Sequence, residues 1–304
     1  MKMNIKLQHI FVLAVITGLL WTGCDKVDEG LVVTNEQNIP LNTDTVFVID
    51  SVMVNQKQVL LEDFTGHKCV NCPEAGIAAH EWAEGYDHRL IIYAVHAGFQ
   101  AFPDATGPYT YDFTNPTGDE IFNYFNQPFN PSGTVNRVEY DGNTVLIFVT
   151  GDWEQAIPVE LAKPNVIDMK VINKYFPNTN SVQISISSTV KAALTGQYKI
   201  VVVIVEDLIV KPQKNNNEEI GPVPDWLDFH HRNVLRDAVT STFGEYVSAD
   251  GTLVQGETYY NQFYYEMDEP WVSDTADYNI ITYIFDEVND DILQVAELGI
   301  KKEE

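Results

Sequence analysis

Residues 60–72 read LLEDFTGHKCVNC, and they hold two of the chain's three cysteines. An apolar run ends in Asp63-Phe64, a four-residue turn follows, and Cys69-x-x-Cys72 opens the next element. From Cys72 to Tyr86 the pattern predicts a helix. Pro73 suits a first helical turn, Glu74 complements the helix dipole, and Ala75, Ala78, Ala79, Trp82 and Ala83 share one face. Two cysteines at this spacing serve redox exchange, zinc or a structural bridge. Zinc needs four ligands, and beyond His67, His96, His230 and His231 the sequence offers no second CxxC or HxxxH. Redox chemistry needs a thiolate. Cys69, at the helix start beside His67 and Lys68, is placed to supply one, and Cys72 acts second.

Outward from this stretch, TVFVIDSVMV and KQVLLEDF are strand-like, and RLIIYAVHAG reads as a strand buried on both faces. A Pro/Gly/Tyr-rich stretch, 98–118, precedes a short helix in DEIFNYFN. NPSGTVNRVEY and NTVLIFVT predict two strands, and DWEQAIPVELAK a helix kinked near Pro158. Together these make a small α/β domain over residues 46–164. After Pro164 the chain is a series of strand-like runs separated by turn residues, which predicts an all-β sandwich over 165–304. Its longest connection, KPQKNNNEEIGPVPDW, is polar and proline-rich, a loop of the kind that carries binding. No internal repeat is present.

The chain begins MKMNIK, followed by an apolar run from Ile10 to Leu20, a secretory signal over residues 1–23. Thr22-Gly23-Cys24 resembles a bacterial lipobox, with Trp21 where a leucine is usual; an ordinary cleaved signal is the alternative. Lipidation of Cys24 supplies two or more acyl chains, enough for stable anchoring. Residues 24–45 read as a flexible tether, whose early acidic cluster resembles export signals of surface lipoproteins in Bacteroidota. With 44 acidic and 18 basic side chains, a net charge of −26, the chain repels nucleic acid and anionic lipid surfaces. No cofactor is implied.

The segment around the cysteines resembles the thioredoxin active site. That resemblance implies a thioredoxin-like domain, with Asp63 as the base that helps deprotonate Cys72 and Pro131 as a cis-proline ahead of a strand, Pro128 being its competitor. Lys68 and Val70-Asn71 depart from the usual Trp and Gly-Pro, so the redox poise does not transfer. In order, FTGHKCVNCP, PSGTVNR, VEDLIV, HHRNVLRDAV and ILQVAELGI also resemble a Bacteroidota outer-membrane lipoprotein family named for a twenty-eight-kilodalton surface protein and described as adhesin- or receptor-like. It implies the same α/β thioredoxin-like domain followed by a β-sandwich. His230-His231-Arg232 departs from that family's usual His-Asn-His, which counts against a shared metal site.

Two functions follow. One is thiol–disulfide exchange with envelope or surface proteins through Cys69 and Cys72. The other is non-enzymatic surface binding, adhesin- or receptor-like, through the β-sandwich loops, with a structural disulfide. Either protein is held at the outer membrane through Cys24, either within the envelope or facing outward. Replacing Cys24 with Ser is therefore expected to abolish partitioning into detergent in a phase-separation assay; wild-type partitioning would rule out the lipid anchor.

Overall fold

The computed structural model describes residues 43–126, 129–140, 145–146, 150–267 and 277–300. The signal peptide, Cys24, the tether up to residue 42, Pro128 and most of NTVLIFVT lie outside them. The elements are β1 (Val48–Val54), β2 (Val59–Thr65), α1 (Cys72–Gly85), β3 (Leu90–His96), α2 (Pro116–Tyr124), β4 (Ser132–Val135), α3 (Thr150–Leu161), β5 (Ile167–Phe176), β6 (Ser181–Val190), β7 (Tyr198–Asp207), β8 (Ile209–Val210), β9 (Gln213–Lys214), β10 (Asp225–Trp226), β11 (His230–His231), β12 (Val234–Ala238), β13 (Glu245–Tyr246), β14 (Thr258–Glu266), β15 (Asp277–Asp286) and β16 (Ile292–Gly299). No helix among the described residues is long and apolar enough to cross a membrane.

While β9 pairs with β10 and β8 with β11 in two short ribbons, two large sheets organise most of these strands. One is antiparallel, in the order β1-β5-β6-β14; the other is mixed, in the order β16-β15-β7-β12-β3-β2-β4, with β13 pairing β7. The alternation in β7 shows how they pack. Ile200, Val202 and Ile204 join Met169, Val171, Ile184, Ile186 and Phe263 in the core between the two sheets. Val201, Val203 and Val205 join Phe64, Tyr93, Val95, Ile121 and Tyr283 in a second core on the other face. A third core sets Ala75, Ala79 and Ala83 of α1 and Trp153 and Ile157 of α3 against Leu61, Ile92 and Val135. Each large apolar side chain so buried contributes roughly 1.5–3 kcal/mol.

The predicted fold class, an α/β thioredoxin-like domain followed by an all-β sandwich, is corrected by this topology. Strands outnumber helices, and β2, β3 and β4 share a sheet with β7, β12, β15 and β16. β1 pairs in the other direction, with β5, in register from Val48↔Tyr175 to Val54↔Met169. The physical reason lies at β12. It runs parallel to β3 at Val234↔Ala94 and antiparallel to β7, with an irregularity between Leu235 and Asp237. Asn233, just before it, accepts from Ala94 N at 2.8 Å and donates to Ile92 O at 3.1 Å. The edge of β3, which would otherwise present unpaired backbone groups, is thus consumed by the sheet of the C-terminal half. Periodicity gives the strands but not which edges meet.

A charged pair sits where the strands converge. Glu62 and Arg137 are 0% and 1% exposed, and Arg137 donates from Nε to Oε2 at 2.8 Å and from Nη2 to Oε1 at 2.6 Å. Thr134 Oγ1 donates to Oε2 at 2.6 Å, Tyr93 donates to Oε1, and Arg137 also donates to Tyr283 Oη at 2.9 Å. Burial pushes the Glu62 carboxyl up, but the charge and hydrogen bonds of Arg137, with those of Thr134 and Tyr93, outweigh it and hold it below the ordinary value. Replacing Arg137 with Met strands a buried carboxylate and is expected to cost about 3–5 kcal/mol in urea unfolding. A loss under about 1 kcal/mol would show that the pair is not isolated from water as described.

Candidate functional site

The CxxC turn is built by close backbone approaches. Cys69 N donates to Gly66 O at 2.9 Å, and Lys68 N donates to Gln100 O at 3.0 Å. Gly66 is required there, because a Cβ would come within 2.7 Å of the Gln100 carbonyl carbon. Cys69 and Cys72 form a disulfide with Cα atoms 5.4 Å apart. Cys72 is the first residue of α1, with Pro73 and Glu74 in its first turn. Cys69 lies three residues ahead of the helix.

The loop that the sequence marks as a binding loop lies on this turn. Gln213 Nε2 donates to Cys69 O at 2.8 Å and to Gly66 O at 3.2 Å. Lys214 N donates to His67 O at 2.8 Å, and Asn216 Nδ2 donates to Asn71 Oδ1 at 2.8 Å. Cys69 is 1% exposed beneath it. The two groups expected to lend Cys69 positive charge are occupied elsewhere. His67 is buried, packs its ring 5.4 Å from Phe113 and 5.5 Å from Tyr109, and has its pKa lowered, chiefly by burial. Lys68 pairs with Asp104 at 2.8 Å. Access therefore differs from the sequence expectation: Cys72, not Cys69, borders open space.

That space is a half-open cavity of about 530 Å³ between α1 and residues 226–232. Asp63, Cys72, His96, Trp226, Phe229 and His231 are among the residues lining it. Asp63 follows Glu62 on β2, so its side chain takes the opposite face of the strand. It is 4% exposed, Oδ1 has no hydrogen-bond partner, and burial pushes its carboxyl up to about 7. Burial likewise lowers the imidazoles, His96 well below its ordinary value and His231 to about 3. His96 stacks on Phe113 with ring centroids 4.5 Å apart, and His231 Nε2 lies 3.2 Å from Lys211 O.

Pro131 follows a cis Asn130–Pro131 peptide and leads directly into β4, which pairs Gly133 with Asp63. It does not line the cavity. Among the described residues, no group of three or more His, Cys, Asp or Glu could hold a metal ion. Gln213, Trp226 and Phe229 were not foreseen as site residues, and His96 was weighed only as a zinc ligand. The polar, proline-rich composition of 211–226 was the available signal for the first two, and His96 carried none beyond its place at the end of a buried run.

The sequence profile of the family described as outer membrane protein Omp28 matches residues 119–304. The chain belongs to the Omp28 family, and it is associated with the outer membrane. The matched stretch begins after the CxxC turn. Among solved structures, HBP35 of Porphyromonas gingivalis superposes with a TM-score of 0.60 at 14% identity, covering 82% of this chain and 77% of that one, a likeness of fold alone. A protein of Agrobacterium tumefaciens gives 0.47 at 11% identity, covering 82% and 97%. A domain of the outer membrane lipoprotein Omp28 from P. gingivalis gives 0.29 at 14% identity, covering 45% and 88%. No curated protein matches the chain.

The raised carboxyl has a measurable consequence. Below 3.8, the ordinary value, Asp63 is protonated whether the chain is folded or not. Between 3.8 and about 7 the unfolded carboxyl ionises while the folded one keeps its proton, so stability falls as pH rises and levels off above that window. The loss amounts to as much as about 4 kcal/mol. Thermal unfolding of Asp63→Asn beside wild type is expected to show a variant whose relative stability grows from pH 4 to pH 7 and then stays flat. A difference independent of pH would mean that Asp63 ionises normally in the folded chain.

Proposed function

We propose that this chain is a lipid-anchored outer-membrane protein that exchanges disulfides with other envelope proteins through Cys69 and Cys72. The observation that carries the reading is the shared cavity wall of Cys72 and Asp63: one half of the disulfide and a buried carboxyl raised to about 7 line the same space. In the reduced protein, Asp63 takes the Cys72 proton, and the resulting thiolate attacks a partner's disulfide. One partner sulfur leaves as a thiolate and a mixed disulfide forms. Cys69 then attacks Cys72, releasing the partner as a dithiol and restoring the Cys69–Cys72 bond. Two electrons pass from the pair to the partner, and the reverse sequence oxidises a partner. Pro131 enters only as the residue that precedes β4, whose Gly133 pairs with Asp63.

A second reading, a binding protein with a structural disulfide, is favoured by the burial of both sulfurs and by the Gln213 hydrogen bond that holds the turn closed. Thiol titration in glutathione buffers separates the two. Exchange requires a potential above about −300 mV, whereas a structural disulfide lies below it. Cys69→Ser is expected to trap partners as mixed disulfides through Cys72, and Cys72→Ser to trap few. The opposite order would give the attack to Cys69. No trapping by either variant, together with a potential below about −300 mV, would leave the binding reading.

A further inference from the structure

Two side chains lining the cavity beside Cys72 keep polar atoms that the fold leaves unanswered: Asp63 Oδ1 and both ring nitrogens of His96. Asp63 is buried, borders the cavity, and has an Oδ1 without a hydrogen-bond donor. Leaving such a group unsatisfied costs about 1–3 kcal/mol, so a ligand that brings a donor recovers that cost on binding.

The surroundings narrow the kind of donor. Glu81, Glu84 and Asp228 also line the cavity, against one cationic side chain, Arg232. That guanidinium is already engaged, with Nη2 3.0 Å and Nε 3.2 Å from the Asp207 carboxylate. The half-buried imidazole of His80 and the buried ones of His96 and His231 are lowered by burial and add no charge at neutral pH. An anion is repelled by this field, whereas a cation is drawn in. Apart from Thr65, Gln213 and His230, the rest of the wall is apolar. Ile77 and Ile92 line it, with Trp226 and Phe229 set edge to face at 5.1 Å. Aromatic faces of this kind hold an apolar body and attract a cation.

We propose that this cavity binds a small organic amine, its ammonium donating to Asp63 and its apolar body lying against Ile92, Trp226 and Phe229. The site belongs to the oxidised protein and is independent of thiol exchange, because the disulfide stays closed throughout. It combines a few convergent polar groups with apolar walls, the common form of small-molecule sites.

The test uses the purified full chain in detergent with its disulfide intact, at pH 8, above the value of about 7 at which Asp63 ionises. Isothermal titration with 2-phenylethylamine and with 2-phenylethanol, its neutral analogue, compares the same body with and without the charge. The amine is expected to bind at least about tenfold tighter, the difference one charge-assisted hydrogen bond makes. Asp63→Asn is expected to erase the preference, and Phe229→Ala to weaken both probes alike while retaining it. Equal affinity for the two probes in the wild-type chain, binding of neither, or a preference that survives in a folded Asp63→Asn chain would overturn the proposal. The wild-type comparison decides even if that variant does not fold.

Discussion

A fully buried guanidinium facing a fully buried carboxylate is the constraint on which the rest of this structure depends. Removing Arg137 and Glu62 from water costs several kcal/mol for each ion, and only complete pairing offsets that. The pairing draws on four strands or strand ends: Glu62 of β2, Tyr93 of β3, Thr134 of β4 and Tyr283 of β15. Arg137 also lies over the rings of Phe125, Tyr283 and Phe285 at 5.3–5.7 Å. Its positive φ of 54°, after 51° at Asn136, turns the chain back toward β2, where Asn136 Oδ1 accepts from Leu60 N at 2.9 Å. A register slip in any of these strands would leave a charge or hydroxyl unpaired.

The same strand carries the site. Because neighbours on a strand face opposite ways, Glu62 and Asp63 meet opposite environments. Glu62 is surrounded by donors and stays ionised; Asp63 has desolvation without a donor and holds its proton to near neutrality. Two adjacent carboxyls are thus pushed apart by their surroundings, a pattern that marks functional sites more often than chance. With β12 beside β3, the connection from β8 to β12 has to pass over the end of β2 and the CxxC turn. That path brings Gln213 onto Cys69 and Trp226 and Phe229 over the cavity.

Much of the local structure was legible in the sequence. α1 begins at Cys72, where Pro73 and Glu74 indicated, and the continuous apolar runs around Leu90 and Tyr198 became β3 and β7. The cysteine pair was legible as a pair. The pairing of sheets was not. β1 has the alternation of a half-buried strand, which says nothing of its partner, β5, more than a hundred residues away in sequence. β12 is five residues long and partly polar, too short to announce itself as the strand joining both halves. Nor did Arg137 stand out, because its burial depends on Tyr283 and Phe285 arriving from the far end of the chain. Local resemblance around Cys69 therefore suggested a self-contained α/β unit, where long-range pairing made a continuous sheet.

That continuity is the central claim, and native-state hydrogen exchange tests it most directly. If β2, β3, β12 and β7 form one cooperative sheet, the buried ladder amides of Leu60–Phe64 and Val201–Val205 exchange through a common opening with the same free energy and the same denaturant dependence. Exchange of the β2–β4 amides through a separate opening of clearly lower free energy, while β7 and β15 stay protected, would contradict it.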